Sequence, residues 1–371
     1  MKTIVAAICS CALLLSAPAA AQRGAAKDAA PSDEWKELNQ EATNLYFQGR
    51  FERGVAVAKK ALELAERERG PEHPSAAASL NRVAEIYRAL GQHAAAEPLY
   101  KRALAIRESA RNPNDAAIGQ SLNNLAQLHM AQGEYAAAEA LFKRSLASRE
   151  RARGAEHPDV ANSLSGLADL YRAQRKFAEA ESLYKRSLAI LDKALGAQQP
   201  QPASLANRVA IALLGLAEIH REQGQHEAAE ALYKRAIAMV DDTRDREHPL
   251  MARSLQGLAS LYVRQGEFVS AQTLYKRAIA IQENALDRDH PRMATTLQGL
   301  ADVYIAQGES IAAEAMLKRA LEIRVTALGE QHPAVAATLD GLFALYAKQN
   351  KNAEAKQSAD RAAAIRSSQR R

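Results

Sequence analysis

NSLSGLADLYRAQRKFAEAESLYKRSLAIL, residues Asn162 to Leu191, is the stretch whose reading decides the fold. Leu164, Leu167, Ala168 and Tyr171 recur at i, i+3, i+4 and i+7, the apolar stripe of an amphipathic helix. Arg175 and Lys176 turn the chain, and Phe177, Ala180, Tyr184, Ser187 and Leu188 form the stripe of a second helix. Small side chains at Ala168 and Ala180 let the two backbones approach closely, while Tyr171 and Tyr184 fill the space beside them. The same pattern is written about eight times along the chain at a period of 42 residues. Its turn glycine falls at Gly49, Gly91, Gly133, Gly224, Gly266 and Gly308, with Arg175 and Asn350 standing in for it in the fourth and eighth copies. Self-similarity at a fixed period means one supersecondary unit stacked on itself, each copy burying its apolar face against the next. The expected architecture is an all-α solenoid, whose usual product is surface, so binding is the default function.

The totals agree. At 371 residues a globular chain would divide into two or three domains, but the repeat predicts one elongated domain from residue 34 to 371. Met1 and Lys2 lead into an apolar run from Ile4 to Ala17 that ends in small residues, which reads as a secretory signal peptide cleaved after Ala21. An uncleaved anchor and a lipid-modified Cys9 or Cys11 are the other readings of this segment. Signal removal predicts a periplasmic or secreted protein with no stable membrane insertion. Cys9 and Cys11 are the only cysteines, so the mature chain would carry neither disulfides nor thiolate chemistry. Residues 22 to 33, QRGAAKDAAPSD, read as a flexible linker.

With the repeat residues in view, small-xx-Tyr in the first helix, a turn glycine, then Ala, aromatic and Ala/Ser in the second, the chain resembles the tetratricopeptide repeat (TPR). The period, with SLNNLAQLHMAQGEYAAAEALFKRSLASRE (Ser121 to Glu150) followed by GAEHPDVANSL (Gly154 to Leu164), is similar to the kinesin light chain subgroup. The resemblance implies a right-handed α-solenoid of about eight helical hairpins and a peptide held in the concave groove, partly by asparagines of the first helices. A secretion signal stands where a coiled coil would engage a motor, so the resemblance carries the binding mode and not the transport role.

Between the fourth and fifth copies the spacing grows from 42 to 49 residues, with the extra residues near Gln198 to Val209 and a longer fifth first helix expected near 198–212. Seven residues are nearly two turns, so the apolar face stays in phase to about 20°. The insertion reads either as a tolerated loop-tip addition or as a docking or dimer ridge built on Leu205, Val209 and Ile211.

Recurring His-Pro pairs at His73, His157, His248, His290 and His332 invite a metal reading, but proline suits the first turn of the following helix and holds the preceding histidine extended. They punctuate the loops, and successive copies sit too far apart to share an ion. His226-Glu227 lacks a second histidine at i+4, and there is no nucleophile elbow or phosphate-cradling loop, so no enzyme activity, cofactor or metal is expected. Lys101-Arg102, Lys143-Arg144, Lys185-Arg186, Lys234-Arg235, Lys276-Arg277 and Lys318-Arg319 form a basic ladder, but Glu97, Glu139, Glu181, Glu230 and Glu314 each precede the lysine by one turn. A self-neutralised convex face is expected, not a nucleic-acid surface.

Carried over position by position, the resemblance puts three rows of first-helix residues in the groove. The first is Asn81, Asn123, Ser165, Leu214, Gln256, Gln298 and Asp340; the second is Glu85, Gln127, Asp169, Glu218, Ser260, Asp302 and Ala344; the third is Arg88, Met130, Arg172, Arg221, Val263, Ile305 and Ala347. From these rows Asn81, Glu85, Arg88, Asn123, Gln127, Asp169, Arg172, Glu218, Arg221, Gln256, Gln298 and Asp302 are the candidate partner-binding residues. Amides beside alternating acids and arginines suit the backbone and charged side chains of an extended peptide. The expected function is a non-enzymatic protein-interaction scaffold of the cell envelope, the alternative a binding module for a small molecule or glycan.

Overall fold

A computed structural model describes residues 32–110, 114–197, 202–241, 249–285 and 290–368. The expected signal peptide and all but the end of the linker lie outside the described residues. Within them the chain forms α1 (Asp33–Gln48), α2 (Phe51–Arg69), α3 (Pro74–Ala89), α4 (His93–Ser109), α5 (Asp115–Ala131), α6 (Tyr135–Arg153), α7 (Pro158–Ala173) and α8 (Phe177–Gly196). It continues through α9 (Ala203–Glu222), α10 (His226–Asp241), α11 (Pro249–Gln265), α12 (Phe268–Ala285), α13 (Pro291–Gln307), α14 (Ser310–Leu328), α15 (Pro333–Lys348) and α16 (Asn352–Ser368). These pair as eight helical hairpins, and no described helix is long and apolar enough to cross a membrane.

Each hairpin turns where the periodic glycine says it must. Gly49 sits at φ 79° and the following amide, Arg50 N, donates to the Leu45 carbonyl at 2.9 Å, a closure that satisfies a carbonyl left over at the helix end. The fourth and eighth copies reach the same geometry without glycine: Arg175 lies at φ 60° and Asn350 at φ 58°. Lys176 N and Lys351 N then donate to Tyr171 and Tyr346 in the same pattern, at 2.8 and 3.0 Å. The hairpin packing around them is strong enough to hold two non-glycine residues in the left-handed region.

Among the described residues the His-Pro pairs are helix caps, and His248 lies outside the described residues. His73, His157, His290 and His332 each turn Nδ1 back to accept from the backbone amide two residues on, at 3.0–3.1 Å, with proline at the first helical position. Histidine here does the work usually done by Ser or Asp at an N-cap, which requires the ring nitrogen to be unprotonated.

First helices touch first helices along the stack, α3 with α5, α9 with α11, α11 with α13, whereas no pairing of second helices is comparable. The layer whose members lie closer together is the inside of a curve, so the odd-numbered helices line the concave face. The curve closes on itself. The copy-1 turn at Gly49 lies against His290 and Pro291 of copy 7, an added Cβ falling 2.9 Å from the imidazole, and Gly91 of copy 2 meets His332 of copy 8 in the same way. Leu328 of α14 packs against the apolar cluster around Leu45 and Phe51. One superhelical turn therefore takes six copies.

In the fifth copy α9 spans 20 residues against 16 in α7, about one turn more, while 198–201 lie outside the described residues. No external ridge results. Leu205 and Val209 are buried in the stack and join the large cluster formed with α8, α10 and α11, because the added turn is covered by its neighbours. Ile211 alone of the three is exposed, and it faces the groove.

Candidate functional site

The two faces of the solenoid differ in how their charges are finished. On the convex back, Lys101, Lys143, Lys185, Lys234 and Lys318 reach the glutamate four residues earlier at 2.6–2.7 Å. The arginine after each lysine reaches instead to the preceding second helix: Arg102 to Glu66, Arg144 to Glu108, Arg186 to Glu150, Arg235 to Asp192 and Arg319 to Glu283. Tyr171, Tyr262 and Tyr346 add hydroxyl donors to Glu139, Glu230 and Glu314 at 2.9–3.1 Å. Glu139, Glu230 and Glu314 thus accept from their own copy and from the next.

On the concave face the candidate residues gather in three hollows. A cavity of about 620 Å³ takes Asn123, Gln127 and Asp169, joined by Gln120, Asn124, Asn162 and Ser165 and bounded by Arg149, Arg208 and Ile211. A second, of about 510 Å³, takes Arg172, Glu218, Gln256, Gln298 and Asp302 together with Arg253, Ser260 and Thr295. Asn81 and Glu85 line a smaller hollow of about 190 Å³ with Trp35 and Arg82. Arg88 and Arg221 line none of the three. Arg88 is drawn toward Tyr100, Tyr46 and Glu85, and Arg221 is paired with Glu218 at 2.5 Å.

Several candidates are already engaged within the protein. Glu85 accepts from Arg82 at 2.5 Å and Asn124 at 3.0 Å, Arg172 pairs with Glu222 at 3.1 Å, and Gln298 accepts from Arg324 at 2.7 Å. The asparagines are different. Asn81 donates to Ser121 at 3.1 Å, but its Oδ1 is buried without a donor, and so is Oδ1 of Asn123. The Nε atoms of Arg88 and Arg172 are likewise buried without an acceptor.

A seam joins back and floor that the sequence pattern did not expose. Tyr184 and Tyr233, from second helices, pass between neighbouring first helices, and their hydroxyls donate to Asp169 and Glu218 at 2.5 Å. Glycines at Gly215, Gly257 and Gly299 make room for the rings of Tyr184, Tyr233 and Tyr275, because a Cβ at any of them would overlap the tyrosine. Burial raises the Asp169 carboxyl above its ordinary value, against the Tyr184 hydrogen bond and the Arg172 charge, and burial alone raises Asp302. The signal was present: mid-helix glycine costs about 1 kcal/mol, so its return in register at 166, 215, 257, 299 and 341 needed a packing reason.

Also missed was a whole row. Gln120, Asn162, Ile211, Arg253 and Thr295 lie one turn before the first predicted row and line these cavities in the same register. An exposed helical face is wide enough to include them, so counting only forward from the stripe leucine left them out.

Comparison with known proteins follows the repeats. A tetratricopeptide repeat family model matches residues 38–109, 117–193, 208–284, 259–324 and 292–368. No curated protein matches significantly. Among solved structures, a Rap protein complexed with Competence and Sporulation Factor shares the fold with a TM-score of 0.56 at 12% identity, over 91% of this chain and 99% of that chain. The apo form of RapI gives 0.54 at 16% identity, over 78% and 97%. A kinesin light chain protein of nearly identical TPR-like repeats from Podosopora anserina is 26% identical over 57% of this chain and 97% of that chain, with a TM-score of 0.44.

Proposed function

Because the chain belongs to the tetratricopeptide repeat family, whose arrays act as protein-interaction scaffolds, we propose that it is a non-enzymatic scaffold. It takes an extended segment of a partner protein along the floor built by its first helices. The observation that carries this reading is the pair Asn81 and Asn123, at equivalent positions of neighbouring copies, each with a buried amide oxygen lacking a donor. Leaving such an acceptor unmet costs about 1–3 kcal/mol, and the N–H groups of an extended chain are the donors that a line of amides fits. Beyond the amides, Asp169, Glu218 and Asp302 alternate with Arg172 and Arg253, which suits a segment carrying both signs of charge.

We further propose that the mature protein works in the cell envelope or outside the cell. What supports this is the charged start, short apolar run and small-residue end of Met1 to Ala21.

Capture of a partner from envelope extract tests the groove. The mature wild-type chain and the back-face variant Lys101→Gln/Lys185→Gln should retain the same protein, and Asn81→Ala/Asn123→Ala should lose it. Equal retention by all three would mean that the partner is held elsewhere.

A further inference from the structure

One cavity is built unlike the hollows of the groove floor. Its volume is about 880 Å³, and it lies between the C-terminal end of α1 on one side and α9, α11 and α13 on the other. It exists only because the superhelix closes, bringing copy 1 against copies 5 to 7. Its volume falls within the roughly 300–1,000 Å³ usual for small-molecule sites.

Its lining is divided by chemistry. Phe47 and Ile211, 53% and 39% exposed, both face it, so two large apolar side chains that the core does not use converge on one space beside Leu250. Arg253 and Arg292 share the same lining. Neither guanidinium has a carboxylate partner among the described residues. Both arginines are exposed; desolvation lowers the Arg292 guanidinium, with Tyr46 opposing the shift and the charge of Arg253 adding to it. Amides and hydroxyls make up most of the remaining lining, and two charged guanidiniums beside Phe47, Ile211, Pro249 and Leu250 are complementary to an anion with an apolar body.

We propose that this cavity binds a small amphiphilic acid, its aliphatic or aromatic body between Phe47 and Ile211 and its carboxylate between Arg253 and Arg292. The site goes beyond the partner groove, with which it shares Ile211, Arg253 and Gln256 at its edge. Because its walls come from both ends of the superhelical turn, occupancy ties copy 1 to copies 5 to 7.

The test uses the full mature chain, with decanoate as probe and its methyl ester as the uncharged counterpart, followed by calorimetric titration and by melting temperature. Decanoate should bind saturably and raise Tm. Arg253→Gln/Arg292→Gln should weaken decanoate by about tenfold or more, the scale of a lost charge-assisted hydrogen bond, and leave the ester unchanged. Ile211→Ser should weaken both ligands. Asn123→Ala, in the amide-lined hollow, should leave decanoate affinity as it was, which keeps this site distinct from the partner groove. Absence of saturable binding at millimolar decanoate together with an unmoved Tm would overturn the proposal. So would equal affinity of the wild type and the double arginine variant, or a loss of decanoate affinity in Asn123→Ala.

Discussion

On the back of the solenoid, Lys143 reaches Glu139 at 2.7 Å and Arg186 reaches Glu150 at 2.7 Å; on the floor, Arg253 has no carboxylate among the described residues and Asn123 Oδ1 no donor. The back pairs follow from two constants, one helical turn within a copy and one repeat between copies, so the fold itself brings them together. The floor changes from copy to copy, from the amides of copies 2 and 3 to the acids and arginines of copies 4 to 7. Regular spacing therefore marks what holds the stack together, and departure from it marks what is left for a ligand.

The strongest way to break this division is at the seam. Gly215→Ala sets a methyl group against the Tyr184 ring, which must move and take its hydroxyl away from Asp169. Overpacking of this kind costs about 1–3 kcal/mol, read as a shift of the urea midpoint, and a shift equivalent to less than about 0.5 kcal/mol would mean that Tyr184 is not held there. A smaller effect is expected at the caps. Burial lowers the His332 imidazole from its ordinary value, helped by Arg324 and His93. A base with a depressed folded value contributes its stability above the unfolded value near 6.5 and loses it as pH falls. His332→Ala should therefore cost about 1 kcal/mol at neutral pH, and wild type and variant should converge as the solution is acidified below pH 6.

On the back, the Lys318 hydrogen bond, reinforced against burial by Lys351 and Tyr346, holds Glu314 down to about 2. Its contribution is present above about pH 4.5 and is lost as pH falls toward 2, so Glu314→Gln should flatten that part of the acid melting curve. The site is partly exposed, which limits the effect to about 0.5–1 kcal/mol. The least loss is expected on the floor: Asn123→Ala removes an unmet buried acceptor, a relief that offsets the packing lost with the amide, so stability should not fall by more than about 0.5 kcal/mol. That variant should alter partner capture all the same. A large loss of stability there would place Asn123 in the framework and remove the contrast.

Much of this was legible in the sequence because it is local or strictly periodic. The stripe of Leu164, Leu167, Ala168 and Tyr171, the turn at Arg175 and Asn350, and the Lys–Glu ladder all depend on neighbours within one turn or one hairpin. The burial of Leu205 and Val209 was not, since it depends on how α8 and α11 close over an added turn. His332 was read as punctuation, yet its role as a cap rests on a ring nitrogen turned back onto Ala334 N, a rotamer that spacing does not specify. The meeting of Gly49 with His290 was out of reach, because it sums small rotations over six copies.

That meeting also makes the chain a counted object, like a thread cut to a fixed pitch. A repeat array is ordinarily free to lengthen by duplicating any of its units. Here an interior duplication would carry the seventh copy past the first, so that Gly49 faced a different loop and Gly91 lost His332 as well. Growth by whole units at the far end leaves both contacts in place. The route open to insertion inside the array is the one the chain has taken between its fourth and fifth copies, fewer residues than a repeat and nearly in phase with the helix.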